Sequence, residues 1–444
     1  MRFERFEASA GAGAIRATAP RATEVEDEVR SIVEEVRVSG DDALRRLTER
    51  FDHAQLSAPE LRVPADELEA AVGGLEPQLL AGLRAARANV RRVAEAGLAE
   101  DRTIELDDGQ RVDLREVPVR RAAAYVPAGR APYPSTVVMC AVSARVAGVE
   151  QLAVCAPPGP QGHAHPTILA ACTLCGVTEV YRIGGAQAIA ALAYGTETIP
   201  AVDVVVGPGN RYVQEAKRQL VGRIGIDSVA GPSELVLVAS SGAEPELAAL
   251  DLLAQAEHGA DGLLAAISSD AGLLDSIAAA AKRLAAERPS AADASLALVH
   301  AADPAGAVRL ADELAAEHVQ LVGAEVEALT GRVSRAGCLF VGRDAGTAFG
   351  DYVAGSNHVL PTGGSARFAG ALSPATFRRR MAQVSLGSGA AARLAPSGAA
   401  IARAEGFPVH AESMEARGAA KPRRSRRPDA AEPNQDAGPD APRR

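Results

Sequence analysis

Twice along this chain, short apolar segments alternate with longer stretches of helical periodicity. In the first pass the apolar runs lie at 122–126, 152–156, 177–183 and 202–206, and the helical stretches near 134–147, 166–175, 186–194 and 211–221. The second pass begins after Ser233, with candidate strands at 235–239, 263–267, 296–299, 319–322 and 338–341. Strands that are apolar throughout, each followed by a helix, require a parallel sheet covered on both faces. The rhythm therefore predicts an α/β fold of two doubly wound units.

Residues 23–97 are helical in pattern: Thr23 is a candidate N-cap, Val25, Val29, Ile32, Val33 and Val36 share one face, and Gly40 suits a C-terminal stop. Residues 103–119 alternate apolar and polar around Asp108-Gly109, the signal of a hairpin. From 373 to 416 the pattern is again helical, but this segment is too short for a core of its own and must pack on the body or on a partner subunit. The expected division is an arm at 1–20, a discontinuous unit of 21–120 with 235–372, a second unit at 121–234, a helical segment at 373–416 and a disordered tail at 417–444.

Charge and composition narrow the partners. The net charge is −9, and because the tail from Arg417 carries +4, the preceding chain stands at −13. Such a body repels nucleic-acid backbones and anionic membrane surfaces. With aromatics at 3% and no Trp, stacking platforms for single strands are missing as well. No apolar run approaches the ~18 residues of a spanning helix, and five Cys make an odd count for a disulfide framework. A soluble, unexported, cytoplasmic protein with reduced thiols is expected, binding neither nucleic acid nor membrane. Cys172 and Cys175 form a CxxC inside an apolar segment with no second pair, which favours a buried structural role over zinc or redox chemistry.

Three Gly-rich turns follow apolar strands and precede helices: Pro127-Ala128-Gly129, Gly184-Gly185-Ala186-Gln187 and Gly207-Pro208-Gly209-Asn210. Exposed N–H groups and the helix dipole favour an anion there, although tight turns in any α/β domain also need Gly. None completes GxGxxG; the nearest match, Gly387-Ser388-Gly389 with Ala392, lacks a preceding βαβ unit. Three histidine contexts stand out. Gln255 and His258 are three apart, on one face of a helix; Glu317 adjoins His318 at the end of a helical stretch from Ala305; and Asp351, Asn357 and His358 fall in a Gly-rich loop. Each alone has a structural explanation. A zinc hydrolase and a nucleotide-binding protein without catalysis both stay open on these residues.

Taken together, 184–195, 206–210, 230–234, 255–258 and 350–362 resemble the histidinol dehydrogenase family, in consistent order from about residue 15 to 416. The resemblance implies two Rossmann-like domains lacking a standard GxGxxG, with small N- and C-terminal helical extensions. It implies a homodimer with a shared active site that uses one zinc per subunit and two NAD to take L-histidinol through L-histidinal to L-histidine. By motif, the metal ligands are Gln255, His258, Asp351 and His410, the last supplied by the other subunit; Glu317 and His318 are catalytic, with a helix C-terminus and a carboxylate favouring imidazolium. By the same matching, Tyr125, Gln187 and Asn210 would contact NAD. Ser233 and Glu405 join the ligand set and His318 in contacting substrate, with His358 a further candidate. Ala316 and Val319 stand where the family usually has Pro and Leu, a departure that leaves the reacting groups intact.

Overall fold

The computed structural model describes residues 1–19, 24–128 and 131–418, so Thr23, Gly129 and the tail from residue 419 lie outside the described residues. The chain forms two compact units, one of Met1–Ala99 with Val117–Arg379, the other of Glu100–Glu116 with the chain from Arg380.

The chain opens with β1 (Arg2–Glu7) and α1 (Gly11–Arg16), followed by α2 (Glu26–Asp52), α3 (Ala65–Gly73) and α4 (Pro77–Ala96). At Gly40 the helix α2 bends instead of stopping, with φ 51° and ψ −129°. Glycine alone takes that conformation freely. The N–H of Asp41, orphaned by the break, donates to Glu197 Oε2 (2.8 Å), and the Asp41 carboxylate accepts from the Thr198 N–H (3.3 Å). The predicted hairpin is β2 (Arg102–Glu105) antiparallel to β3 (Gln110–Pro118).

The first pass of the rhythm gives β4 (Arg121–Tyr125), α5 (Pro134–Ala147), β5 (Gln151–Ala156), α6 (Pro166–Leu174), β6 (Glu179–Arg182), α7 (Gly185–Tyr194), β7 (Val204–Val206), α8 (Arg211–Leu220) and β8 (Gly225–Ile226). Its sheet is parallel throughout, in the order β6-β5-β4-β7-β8. Successive strand residues feed opposite cores: Ala122, Ala124 and Val154 join Val137 and Ile168, while Ala123, Tyr125 and Ala153 join Ile189 and Val213. Cys172 lies on α6 and Cys175 caps it; both are free and buried, as a structural role requires.

The N-terminal helices cover this same sheet. Val29, Leu44 and Leu61 enter the core that holds Tyr125, and Leu68, Leu83 and Val90 enter the core that holds Val137. This corrects the expected grouping of 21–120 with 235–372. Helical periodicity marks an apolar face but does not say which sheet buries it.

The second pass gives β9 (Glu234–Ala239), α9 (Pro245–Ala256), β10 (Leu263–Ser268), α10 (Ala271–Ala286), β11 (Ser295–His300), α11 (Pro304–Leu314), β12 (His318–Val322), α12 (Ala324–Glu327), β13 (Cys338–Val341) and α13 (Thr347–Tyr352). The sheet order is β1-β11-β10-β9-β12-β13, again parallel. The expected N-terminal arm is thus an edge strand, paired with β11 along its whole length. Arg2, Glu4 and Arg5 interrupt its apolar pattern, which suits an edge and disguises a strand.

The second unit carries β14 (Arg378–Leu386), α14 (Ser388–Ala404) and α15 (Pro408–Gly418), with β14 hydrogen-bonded beside β3. β14 corrects the helical expectation for that stretch. All its residues after Arg378 are exposed, so no burial pattern had to be written into them, and pairing with a neighbouring strand overrides local preference. Within this unit α14 and α15 bury Ala390, Ala395, Ala399, Ala402 and Ala411, the last three clustered with Met414 beside them. Met381, Val384, Leu386, Ile401, Phe407 and Val409 are exposed. Among the described residues no helix is long and apolar enough to cross a membrane.

Candidate active site

In the first sheet β5 and β6 lie to one side of β4, and β7 and β8 to the other, so the winding reverses between β4 and β7. Doubly wound sheets open a crevice at the carboxyl ends of their strands at such a point. Tyr125 ends β4 there, the Gly184–Gln187 turn follows β6, and the Gly207–Asn210 turn follows β7. The Gly185 N–H donates to the Tyr125 hydroxyl oxygen (3.1 Å), tying the strand end to the first turn of α7. Gly185 has φ 63°, a left-handed conformation that glycine takes without strain, and a Cβ on it would push against Gln187 Oε1. Asn210 caps α8: its Oδ1 accepts from the N–H groups of Tyr212 (3.0 Å) and Val213 (3.2 Å). The three candidate cofactor residues therefore line one edge of one sheet, two of them at helix N-termini.

The Glu317-His318 pair lies at the opposite kind of edge, the amino ends of β9 and β12. The helical stretch expected to carry it ends at Leu314; Ala315 turns the chain with φ 47°, and His318 opens β12. The helix C-terminus expected to favour imidazolium is replaced by carboxylates. Glu234 and Glu317 exchange bonds across the two strands: the Glu234 N–H donates to Glu317 Oε2 (2.8 Å) and the Glu317 N–H to Glu234 Oε2 (3.2 Å). Glu234 also accepts from Arg16 Nη1 (2.7 Å) and from the Gly363 N–H (3.0 Å). Its charge is compensated, whereas Glu317 has only His318 beside it, with Nδ1 3.6 Å from Oε2.

His318 Nδ1 lies 3.0 Å from the Glu234 carbonyl oxygen, which can only accept. Nδ1 therefore carries a proton, and Nε2 faces Asp351 Oδ1 at 3.6 Å. Burial pushes the Glu317 carboxyl well above the usual range. Burial alone would lower His318, but the Glu317 and Asp351 carboxylates outweigh it and raise the imidazole. The reverse balance holds at Asp351, where burial works upward and His318, by hydrogen bond and charge, holds the carboxyl low.

Beside Asp351 the structure places His358 and His258. His358 Nδ1 donates to the Asp351 carbonyl (2.7 Å), and its Nε2 lies 3.2 Å from Thr136 Oγ1 on α5, which brings the two sheets of this unit together. His258 follows the last turn of α9 and feels the Asp351 charge, yet burial keeps its pKa low, as a neutral metal-binding imidazole needs. Gln255, one turn earlier, has its Nε2 buried with no hydrogen-bond partner. Among the described residues no group of three or more His, Cys, Asp or Glu is poised for a metal. The candidate set in this unit has only two such residues plus a glutamine, so it would not form such a group. A neutral imidazole and an ionised carboxylate fit zinc, and the Gln255 amide, whose nitrogen end is unpartnered here, would join them through its oxygen once turned over. Ser233 is half-buried just before β9, and its carbonyl accepts from the Leu263 N–H (3.1 Å). Glu405 and His410 belong to the second unit and are exposed there. Sequence reasoning named Ser233 but passed over Glu234 and Arg16, whose roles depend on cross-strand partners that no local spacing encodes.

A glycine-lined switch point in one sheet and an imidazole–carboxylate pair in a second define a dinucleotide-dependent oxidoreductase of α/β architecture. The histidinol dehydrogenase family model matches residues 16–418. The histidinol dehydrogenase of Gluconobacter oxydans is 42% identical over 399 residues, covering 88% of this chain and 93% of that protein. That of Rhodospirillum rubrum is 44% identical over 403 residues, 89% of this chain and 93% of its own. The crystal structure of histidinol dehydrogenase from Elizabethkingia anophelis superposes with a TM-score of 0.88 at 30% identity, over 94% of this chain and 98% of that one. This chain belongs to the histidinol dehydrogenase family, NAD-dependent oxidoreductases of histidine biosynthesis.

Proposed function

We propose that this chain oxidises L-histidinol through L-histidinal to L-histidine with two hydride transfers, as a cytoplasmic homodimer holding one zinc per subunit. The observation that carries the reading is the fixed tautomer of His318, with Nδ1 committed to a carbonyl and Nε2 turned toward Asp351. NAD, held along Tyr125, Gln187 and Asn210, supplies the hydride acceptor. Gln255, His258 and Asp351 with His410 of the partner subunit would hold zinc, whose positive charge would anchor the substrate's nitrogens and counter the carboxylates that keep His318 protonated.

The chain's own groups then divide the proton work. His318 Nε2 takes the proton of the substrate hydroxyl in the first oxidation. Glu317, made more basic than a solvated carboxylate by burial, takes a proton from the water that adds to the aldehyde. Ser233 and Glu405 orient the substrate. We assign dinucleotide binding to 121–234 and the catalytic set to 235–372; the exposed Val384, Ile401, Phe407 and Val409 support pairing of the C-terminal segment with a partner.

The test is the absorbance of NADH with histidinol as substrate. Two NADH per histidinol, lost on chelation and restored by zinc, is the expected result. Full turnover after exhaustive chelation would remove zinc from the account, and a single NADH with histidinal accumulating would remove the second oxidation.

A further inference from the structure

Lys217 is one of the largest fully buried side chains of the described residues, and nothing in the reaction uses it. It lies on α8, two turns after the cap residue Asn210. Its Nζ donates to the Gly207 carbonyl (2.5 Å) and to Asp227 Oδ1 (2.7 Å). Asp227 Oδ2 accepts the N–H of the same Gly207 (2.7 Å), while Oδ1 also accepts from the Ser228 N–H (2.8 Å). One ion pair thus grips a single glycine by both its polar groups. Gly207 has φ 112°, and a Cβ on it would collide with the Tyr125 carbonyl, so this residue is pressed against the end of β4 at the switch point.

A pair of charges buried this deeply, at 1% and 5% exposure, has a large desolvation penalty. Apolar side chains of the same size would fill the space at least as well, so packing does not explain it. What apolar residues could not do is fix the turn. The peptide flanking Gly207 sets where Pro208, Gly209 and Asn210 lie, and Lys217 anchors that turn to the helix that Asn210 caps. We infer that Lys217 and Asp227 are positioning residues that lock the Gly207–Asn210 turn in the shape that receives the dinucleotide. This rests on the proposed placement of NAD at the switch point. The pair touches neither cofactor nor substrate and has no part in the proton transfers.

The experiment uses the full-length zinc-loaded enzyme. In the double variant Lys217→Met/Asp227→Leu, both charges are replaced by apolar groups of similar size, which preserves the core while releasing Gly207. Lys217→Met alone serves as the harsher partner. NAD affinity is measured by direct titration, alongside KM for NAD, KM for histidinol, kcat and Tm. For the double variant, Kd and KM for NAD are expected to rise about tenfold or more, with histidinol KM and saturated kcat within about threefold of the parent. A merely structural pair would lower Tm and leave that split absent. Unchanged NAD affinity in a folded double variant overturns the inference, and so does failure of both variants to fold, which would assign the pair to the fold itself. Asn210→Ala and Tyr125→Phe separate the two levels. If these leave NAD binding intact, the placement of NAD is wrong; if they weaken it and the double variant does not, only the role of Lys217 and Asp227 falls.

Discussion

The two parallel sheets of the first unit place their candidate functional residues at opposite ends. The first presents turns at the carboxyl ends of β4, β6 and β7, where backbone N–H groups and small residues make room for a ligand. The second presents Glu234, Glu317 and His318 at the amino ends of β9 and β12, where buried side chains hold one another. On the proposed reading, shape is built at one edge and proton chemistry at the other. A binding edge tolerates generic material, because glycine turns and helix termini supply most of what an anionic dinucleotide needs. A proton-transfer edge cannot, because each group's charge depends on the next.

The contrast can be broken at three points. His318→Gln should lower kcat by about 10²- to 10⁴-fold while NAD affinity stays at the parental value. A kcat within tenfold of the parent would deny the second edge its proton chemistry. Gly207→Ala, which drives a methyl group into the Tyr125 carbonyl, should raise KM for NAD by about 10- to 100-fold with little change in histidinol KM; a change confined to kcat would erase the distinction between the edges.

The smallest effect concerns Asp52, a carboxyl at the end of α2 whose Oδ2 is buried without a hydrogen-bond partner. Burial pushes it up to about 6 from a usual value of 3.8. The folded chain thus keeps a proton that the unfolded chain has lost, so stability falls as pH rises from about 4 to 6. Asp52→Asn should match the parent below pH 4 and exceed it by about 2 to 3 kcal/mol at pH 8. Parallel denaturation midpoints across that range would show that this carboxyl, unlike Glu317, is solvated.

Most of the fold was legible in the sequence because the chain spells each strand with residues that must be buried on both faces. Residues 134–147 were expected as a helix and form one with the same limits, and β13 matches its expected span of 338–341. The failures fall where burial writes no pattern. β1 and β14 are an edge strand and an exposed strand, so neither shows a continuous apolar run. The helices 26–96 have clear apolar faces, but a face does not name its sheet. At the candidate site, Gly185 and Gly207 were visible as turn residues. The crossing of Glu234 with Glu317 was not, since those residues are 83 apart in the chain and meet only when β9 pairs with β12.

That crossing has a consequence for how the molecule comes together. Each of the two glutamates holds the other's backbone N–H, and the His318 ring is fixed by the Glu234 carbonyl. A slip of one residue between β9 and β12 would part each carboxylate from its donor and carry the imidazole away from its anchor. The candidate reacting groups exist as a set only when the centre of the second sheet has closed in register. If these groups carry the proton transfers proposed for them, catalysis is also a proofreading signal for folding: a chain that turns over substrate has paired these strands correctly.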